Sequence, residues 1–373
     1  MPVNTLTSRD RVLTALDHRE PDRIPIFAPN IIDTYEHYDP ALERFLATFP
    51  FDGFTSIGEF NHPPSELRTP KPASMASDAD RRETLLVDGY GCRYRYKGVG
   101  LPYCEHHPLA DAETVADVES FSWPDPEAPQ LIAPDAAQRA RRAHADSDRV
   151  TVVGVPHLFH QYHYIRGFEQ WMLDVKLNRA VHNAIATHIH HINTTLILRL
   201  LDEVAPYVEM VTAADDFGTS TAPYMSPADW RALVKPYYAD LIQRIKRRHP
   251  HVRFYLHSHG QIMDLVPDLI ECGVDVLNPI LPLDNMDPVR LKRDFGADLC
   301  FHGGIDIEHI VPFGTVTEVE DHVKRIIDIL APGGGYWLKL QAISPVCPPE
   351  NVIAAYELAA TYGRYPSGSR VTP

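Results

Sequence analysis

The sequence predicts an α/β fold: a (β/α)8 TIM-type barrel formed as one domain over residues 1–373, with a β-containing insertion after the second strand at about residues 60–150. Two observations carry this expectation. Eight short β-branched or aromatic runs recur along the chain: Ile24-Phe27, Gly53-Ile57, Thr151-Val155, Tyr207-Thr212, Val252-His257, Val274-Asn278, Asp298-His302 and Tyr336-Leu340. Several are almost continuously apolar, as expected when both faces of a parallel strand are covered. Between them lie longer helical patterns, and eight such alternations in a chain of this length point to a barrel. A doubly wound open sheet is the competing architecture, weakened because no Gly-x-Gly-x-x-Gly turn follows an early strand.

The helices carry start signals. Ser8 precedes an amphipathic run with Val12, Leu13 and Leu16, which Pro21 ends. Ser226-Pro227 reads as an N-cap followed by proline at the first helical position, and Trp230, Leu233, Val234, Tyr237, Leu241 and Ile245 follow at helical spacing. Asp287-Pro288 opens a similar helix. Within the long irregular stretch, the alternation Tyr90-Gly91-Cys92-Arg93-Tyr94-Arg95-Tyr96 reads as part of an antiparallel hairpin.

Composition narrows the function classes. A formal charge of −15 argues against nucleic acid or an anionic membrane as the main partner. The apolar runs are far too short to span a bilayer, and the N-terminus does not read as a signal peptide. Five widely spaced cysteines with no Cys-x-x-Cys fit reduced thiols. These features lead us to expect a cytoplasmic protein acting on a small molecule.

The most informative motif is His257-Ser258-His259-Gly260, at the end of the fifth predicted strand. Residues two apart on a strand share a face, and paired imidazoles suit a divalent transition metal with bonds of about 2 Å. Barrel active sites form on the loops beyond the strand C-termini. The polar residues there are Asn30, Glu59, His157, Asp215, Asp216, His257, His259, Asn278, His302, Asp306 and Gln341. Each has a blander role to weigh: Glu59 as a solvated carboxylate, Asp216 as a turn-holder, and the glycines of Gly303-Gly304-Ile305-Asp306 as a simple turn. Asp215 and Asp216 cannot point the same way on an extended backbone. Of His157, His160 and His163 only His157 stands at a strand end, so only it is carried forward. His188, His190 and His191 fall inside a predicted helix.

At this point the chain resembles the uroporphyrinogen decarboxylase superfamily, and within it the cobalamin-dependent methyltransferase branch. The resemblance rests on Ser8-Arg9-Asp10-Arg11-Val12-Leu13, Glu20-Pro21-Asp22-Arg23-Ile24-Pro25, Asp215-Asp216-Phe217-Gly218, Met225-Ser226-Pro227, His257-Ser258-His259-Gly260, Phe301-His302-Gly303-Gly304-Ile305-Asp306, Pro312-Phe313-Gly314-Thr315, Gly333-Gly334-Gly335-Tyr336 and Pro349-Glu350-Asn351. Two departures stand out. The arginine-rich signature that binds porphyrinogen carboxylates is replaced by Phe27-Ala28-Pro29-Asn30-Ile31-Ile32. The zinc site of thiol-activating members uses His-x-Cys and a later Cys, where this chain has His259 and Gln341, with Cys347 six residues further on.

The resemblance implies an enzyme, as a homodimer, that exchanges a methyl group between a small substrate and cobalamin on a separate carrier protein, with zinc or another divalent metal assisting. His257, His259 and Gln341, with Cys347 as an alternative, would be metal ligands. Asp216, Glu59 and Asp306 would be catalytic, and Asn30, His157, Asn278 and His302 would bind substrate. Decarboxylation of a small acid is the rival reading, and a non-catalytic ligand-binding barrel the third.

Overall fold

A computed structural model describes residues 6–31, 39–57, 84–96, 102–343 and 346–366. Its centre is an eight-stranded sheet of β1 (Ile26–Phe27), β3 (Phe54–Ser56), β7 (Val150–Gly154), β8 (Met210–Ala214), β9 (Arg253–His257), β10 (Val276–Ile280), β11 (Cys300–Gly304) and β12 (Tyr336–Lys339). Every pairing is parallel, in the order β1-β12-β11-β10-β9-β8-β7-β3. All eight lie in or within three residues of the predicted runs. The fourth begins later than expected, because Ala205–Tyr207 forms a 3-10 turn around Pro206 before the strand starts at Met210. A short pair, β2 (Asn30–Ile31) with β13 (Ala342–Ile343), extends the first and last barrel strands beyond the mouth.

The two ends of the sheet meet at a polar seam. Asp52 donates its N–H to the Ile26 carbonyl at 2.7 Å, and its carboxylate accepts the Ile26 N–H at 3.0 Å. The same buried carboxylate takes Arg11 Nη1 at 2.7 Å and Arg23 Nη1 at 2.6 Å, while Asp22 holds the rest of the Arg11 guanidinium. The N-terminal motif therefore closes the barrel. A cavity of about 460 Å3 lies against this seam, lined by Arg11, Asp22, Arg23 and Asp52 among others. Its charges are already engaged in closure, and it is remote from the strand C-termini where barrel chemistry resides.

Strand alternation then sorts the side chains. Val150, Val152, Met210, Tyr255, Val276, Cys300 and Trp337 form an inner cluster, capped by Val12 and Leu16 of the helix Ser8–Leu16. That helix is capped by Thr7, whose hydroxyl accepts the Asp10 N–H at 3.0 Å, and not by Ser8, which is its first residue. The opposite strand faces, such as Val211, Phe254 and Leu256, pack against the outer helices in a second layer.

The insertion holds a three-stranded antiparallel sheet of β4 (Thr84–Val87), β5 (Arg93–Tyr96) and β6 (Tyr103–His106). The predicted hairpin is its first two strands, turned by Asp88, whose carboxylate accepts the Tyr90 and Cys92 N–H groups. The helix predicted from Ser226 onward is two helices, Pro227–Leu233 and Lys235–Arg248. Pro236 has no N–H to continue the hydrogen-bond ladder, so the chain re-initiates there. Among the described residues, no helix is long and apolar enough to cross a membrane.

Candidate active site at the barrel mouth

The His-x-His strand end lies where the sequence placed it. His257, at the last position of β9, and His259, two residues beyond, sit with ring centroids 4.9 Å apart at 77°. With Gly218, Ser220, Gly260, Leu281, Asp284, Ile307, Glu308 and Gln341 they line a cavity of about 290 Å3. The His259 turn is tied down from two sides. Asp216 Oδ1 accepts the His259 N–H at 2.7 Å, and Asp284 Oδ2 accepts that of Gly260 at 3.2 Å. Gly260 adopts φ +102°, and an added Cβ would meet Gly218 O at 2.3 Å, so only glycine lets these turns touch.

One hydrogen-bond chain fixes the protonation of His257. Asn278 Nδ2 donates to the His302 carbonyl at 3.0 Å and to Gln341 Oε1 at 3.2 Å. Its Oδ1 therefore faces His257 Nδ1, 2.7 Å away, and a carbonyl oxygen there demands Nδ1–H. The lone pair of His257 is left on Nε2. Burial pushes the imidazole pKa down to about 4, partly opposed by the Asn278 bond, so the ring is neutral near pH 7.

The other predicted residues divide. Asp215 and Asp216 point apart, as expected of neighbours. Asp215 is 1% exposed and accepts the Leu158, Phe159 and His160 N–H groups at 3.0, 3.0 and 2.8 Å, together with the Tyr238 hydroxyl. It satisfies the orphan donors at the start of the helix Phe159–Arg166. Asp216 has a side chain 31% exposed at the mouth. Asn278 orients His257 from below and is itself buried. Of Asn30 only the backbone is described, and Glu59 lies outside the described residues.

Two expectations change. His302 is 0% exposed, stacked on Trp337 at 4.6 Å and bonded through Nδ1 to the Tyr255 hydroxyl at 3.1 Å, so it floors the barrel interior and does not meet the mouth. The reason is that β11 runs on through Gly304, two residues past it. Asp306 turns its Oδ1 onto the Glu308 and His309 N–H groups at 3.0 and 2.8 Å, a local cap rather than a ligand contact. Gly303 and Gly304 hold φ +126° and +96°, and added Cβ atoms would meet Ile280 backbone and Ile326, so both conformation and packing call for glycine here.

Of two further residues near the mouth, Lys339 went unrecognised in the sequence and His160 was set aside. Lys339, 5% exposed at the end of β12, has its Nζ 4.9 Å over the Phe27 ring, and burial lowers its pKa to about 8. Inward alternation through Trp337, Lys339 and Gln341 was the available signal. His160 stands near both carboxylates, Nδ1 3.6 Å from Asp215 Oδ1 and Nε2 3.9 Å from Asp216 Oδ2.

These donors only partly match the expected zinc ligands. His257 has the oriented imidazole a metal ligand needs. The Gln341 carbonyl already accepts Asn278 Nδ2, however, and Cys347 is 4% exposed in the outer hydrophobic layer. Among the described residues, no third His, Cys, Asp or Glu atom joins His257 and His259 at ligand distance. The set does not fit a thiolate zinc centre.

Fold and mouth together define a (β/α)8 barrel with its site at the strand C-termini. The family model for uroporphyrinogen decarboxylase (URO-D) matches residues 84–362, and the chain belongs to that family. It is 24% identical over 276 residues to the uroporphyrinogen decarboxylase of Gloeobacter violaceus, covering 70% of this chain and 75% of that protein. Identity to the uroporphyrinogen decarboxylase of Citrifermentans bemidjiense is 30% over 130 residues, 35% of this chain and 36% of that one. Among solved structures, a methyltransferase from Methanosarcina mazei superposes with TM-score 0.60 at 16% identity, covering 95% of this chain and 98% of its own, a likeness of fold. The family match points to an enzyme, and the structural likeness adds the fold alone.

Proposed function

We propose that this chain transfers a methyl group from a small methylated substrate, held at the barrel mouth, to a corrinoid presented by a separate protein. One observation carries the reading: the mouth cavity is small and lined by Asp284, Glu308, two histidines and Gln341, with no arginine or lysine among its described lining residues. A tetrapyrrole bearing many carboxylates would meet acids where it needs cations, and about 290 Å3 suits a small molecule. The bound corrinoid supplies the methyl-accepting centre. The chain's own residues hold the substrate and handle its proton. His257 Nε2 is a fixed acceptor, and Asp216, with Oδ1 held by the His259 N–H, keeps Oδ2 for delivering a proton to the departing heteroatom. No step here requires a metal at His257 and His259.

Decarboxylation of a small acid is the second reading, favoured by Lys339, whose buried ammonium lies close enough to His257 and His302 to help lower both their pKa values. Incubating the purified chain with reduced cobalamin and a panel of methylated ethers, amines and thioethers separates the two. Appearance of the methylcorrinoid absorption spectrum is expected, with at least a hundredfold loss in Asp216→Asn. Carbon dioxide release from a small acid without methylcorrinoid would give the decarboxylase reading precedence. Turnover of uroporphyrinogen would refute the argument from the acidic lining.

A further inference from the structure

Beside the cavity, at the ends of β7 and β8, the geometry points to a divalent transition-metal site formed by His157, His160 and Asp215. Their ligand atoms all lie within 4.8 Å of one another, the one such trio among the described residues. His157 Nδ1 and His160 Nδ1 approach the same oxygen, Asp215 Oδ1, at 3.8 and 3.6 Å. These separations are too long for hydrogen bonds. They are close to the roughly 3.4 Å edge of a tetrahedron with metal–ligand bonds of about 2.0–2.2 Å.

The carboxylate is built for the task. It is 1% exposed, and its Oδ2 is taken by the Leu158 and Phe159 N–H groups and the Tyr238 hydroxyl. Among the described residues Oδ1 takes only the His160 N–H, which leaves acceptor capacity facing the two imidazoles. Anchoring of this kind orients a ligand and raises its affinity. The imidazoles are the adjustable part, with side chains 45% and 23% exposed. His157 Nδ1 contacts the Ala214 carbonyl, so binding a metal through Nδ1 exchanges that hydrogen bond for coordination and places the ring N–H on Nε2.

Two imidazoles and one carboxylate suit Zn2+, Co2+ or Fe2+ and leave open positions. The nearest mouth group is Asp216, whose Oδ2 lies 3.9 Å from His160 Nε2. The site does not depend on which reaction the barrel performs, and its test reads metal alone.

Purified full-length protein, stripped with chelator, is titrated with Co2+ while d–d absorption and bound metal are measured. Wild type takes up one equivalent with the band intensity of four- or five-fold coordination. His157→Ala and His160→Ala each weaken Co2+ binding by about a hundredfold or more, with far-UV circular dichroism unchanged. His257→Ala and His259→Ala bind Co2+ like wild type. Asp215 is left intact because it also caps a helix. Failure of wild type to bind Co2+, retention by the His157 and His160 variants, or loss from the His257 or His259 variants would each overturn the assignment.

Discussion

His182 offers a clean test of how burial governs this protein's response to acid. The ring is 2% exposed, stacks on Tyr162 with centroids 4.8 Å apart, and among the described residues has no hydrogen-bond partner at Nδ1. Burial is the main reason its pKa falls to about 4, against about 6.5 in the unfolded chain. The folded protein therefore binds fewer protons than the unfolded chain between these values, and its stability falls as pH drops through that window. At pH 5 the unfolded imidazole is nearly all protonated and the folded one about a tenth so. Integrating from pH 8 to pH 5 gives a loss of about 2 kcal/mol from this residue alone. Burial pushes the His302 pKa down as well, which adds to the slope. His182→Phe keeps an aromatic ring against Tyr162 and removes the titration. Urea denaturation of both proteins at pH 8, 7, 6 and 5 measures the effect. With a slope near 3 kcal/mol per molar urea, the wild-type midpoint should fall by about 0.7 M more than the variant's. Equal falls would show that His182 is solvated or protonated in the folded state and refute the reasoning.

Three further outcomes are expected. Asp52→Asn removes the charge that holds Arg11, Arg23 and the Ile26 N–H across the barrel seam, and should destabilise the fold by about 3–5 kcal/mol in chemical denaturation; a change under about 1 kcal/mol would mean the seam closes without it. Asn278→Ala removes the acceptor that fixes His257. Nitrogen-15 NMR should show the Nδ1–H tautomer in wild type and a mixture in the variant, which also loses about 1–3 kcal/mol; a single unchanged tautomer would sink the orientation argument. Gly260→Ala, at φ +102° and against Gly218 O, should cost at least about 2 kcal/mol in thermal unfolding; a neutral result would mean the two turns separate easily.

The sequence by itself determined the strands, several caps and the position of the mouth. A parallel strand covered on both faces must be apolar whatever its partners, so its run is visible locally, and the pairing of His257 with His259 follows from alternation alone. What only the tertiary structure decided is which side chains share a volume. Asp215 and Asp216 are adjacent and chemically identical, yet one caps a helix from 55 residues away while the other opens on the mouth. His160, set aside because it does not stand at a strand end, is brought beside both carboxylates, since the start of its helix and the end of β8 converge. His302 reads as a strand-end residue but lies in the interior because the strand continues through two glycines. Lys339 looked like an ordinary residue of an apolar strand. Each of these outcomes depends on strand tilt and loop path, which bring residues together across separations that no local pattern records.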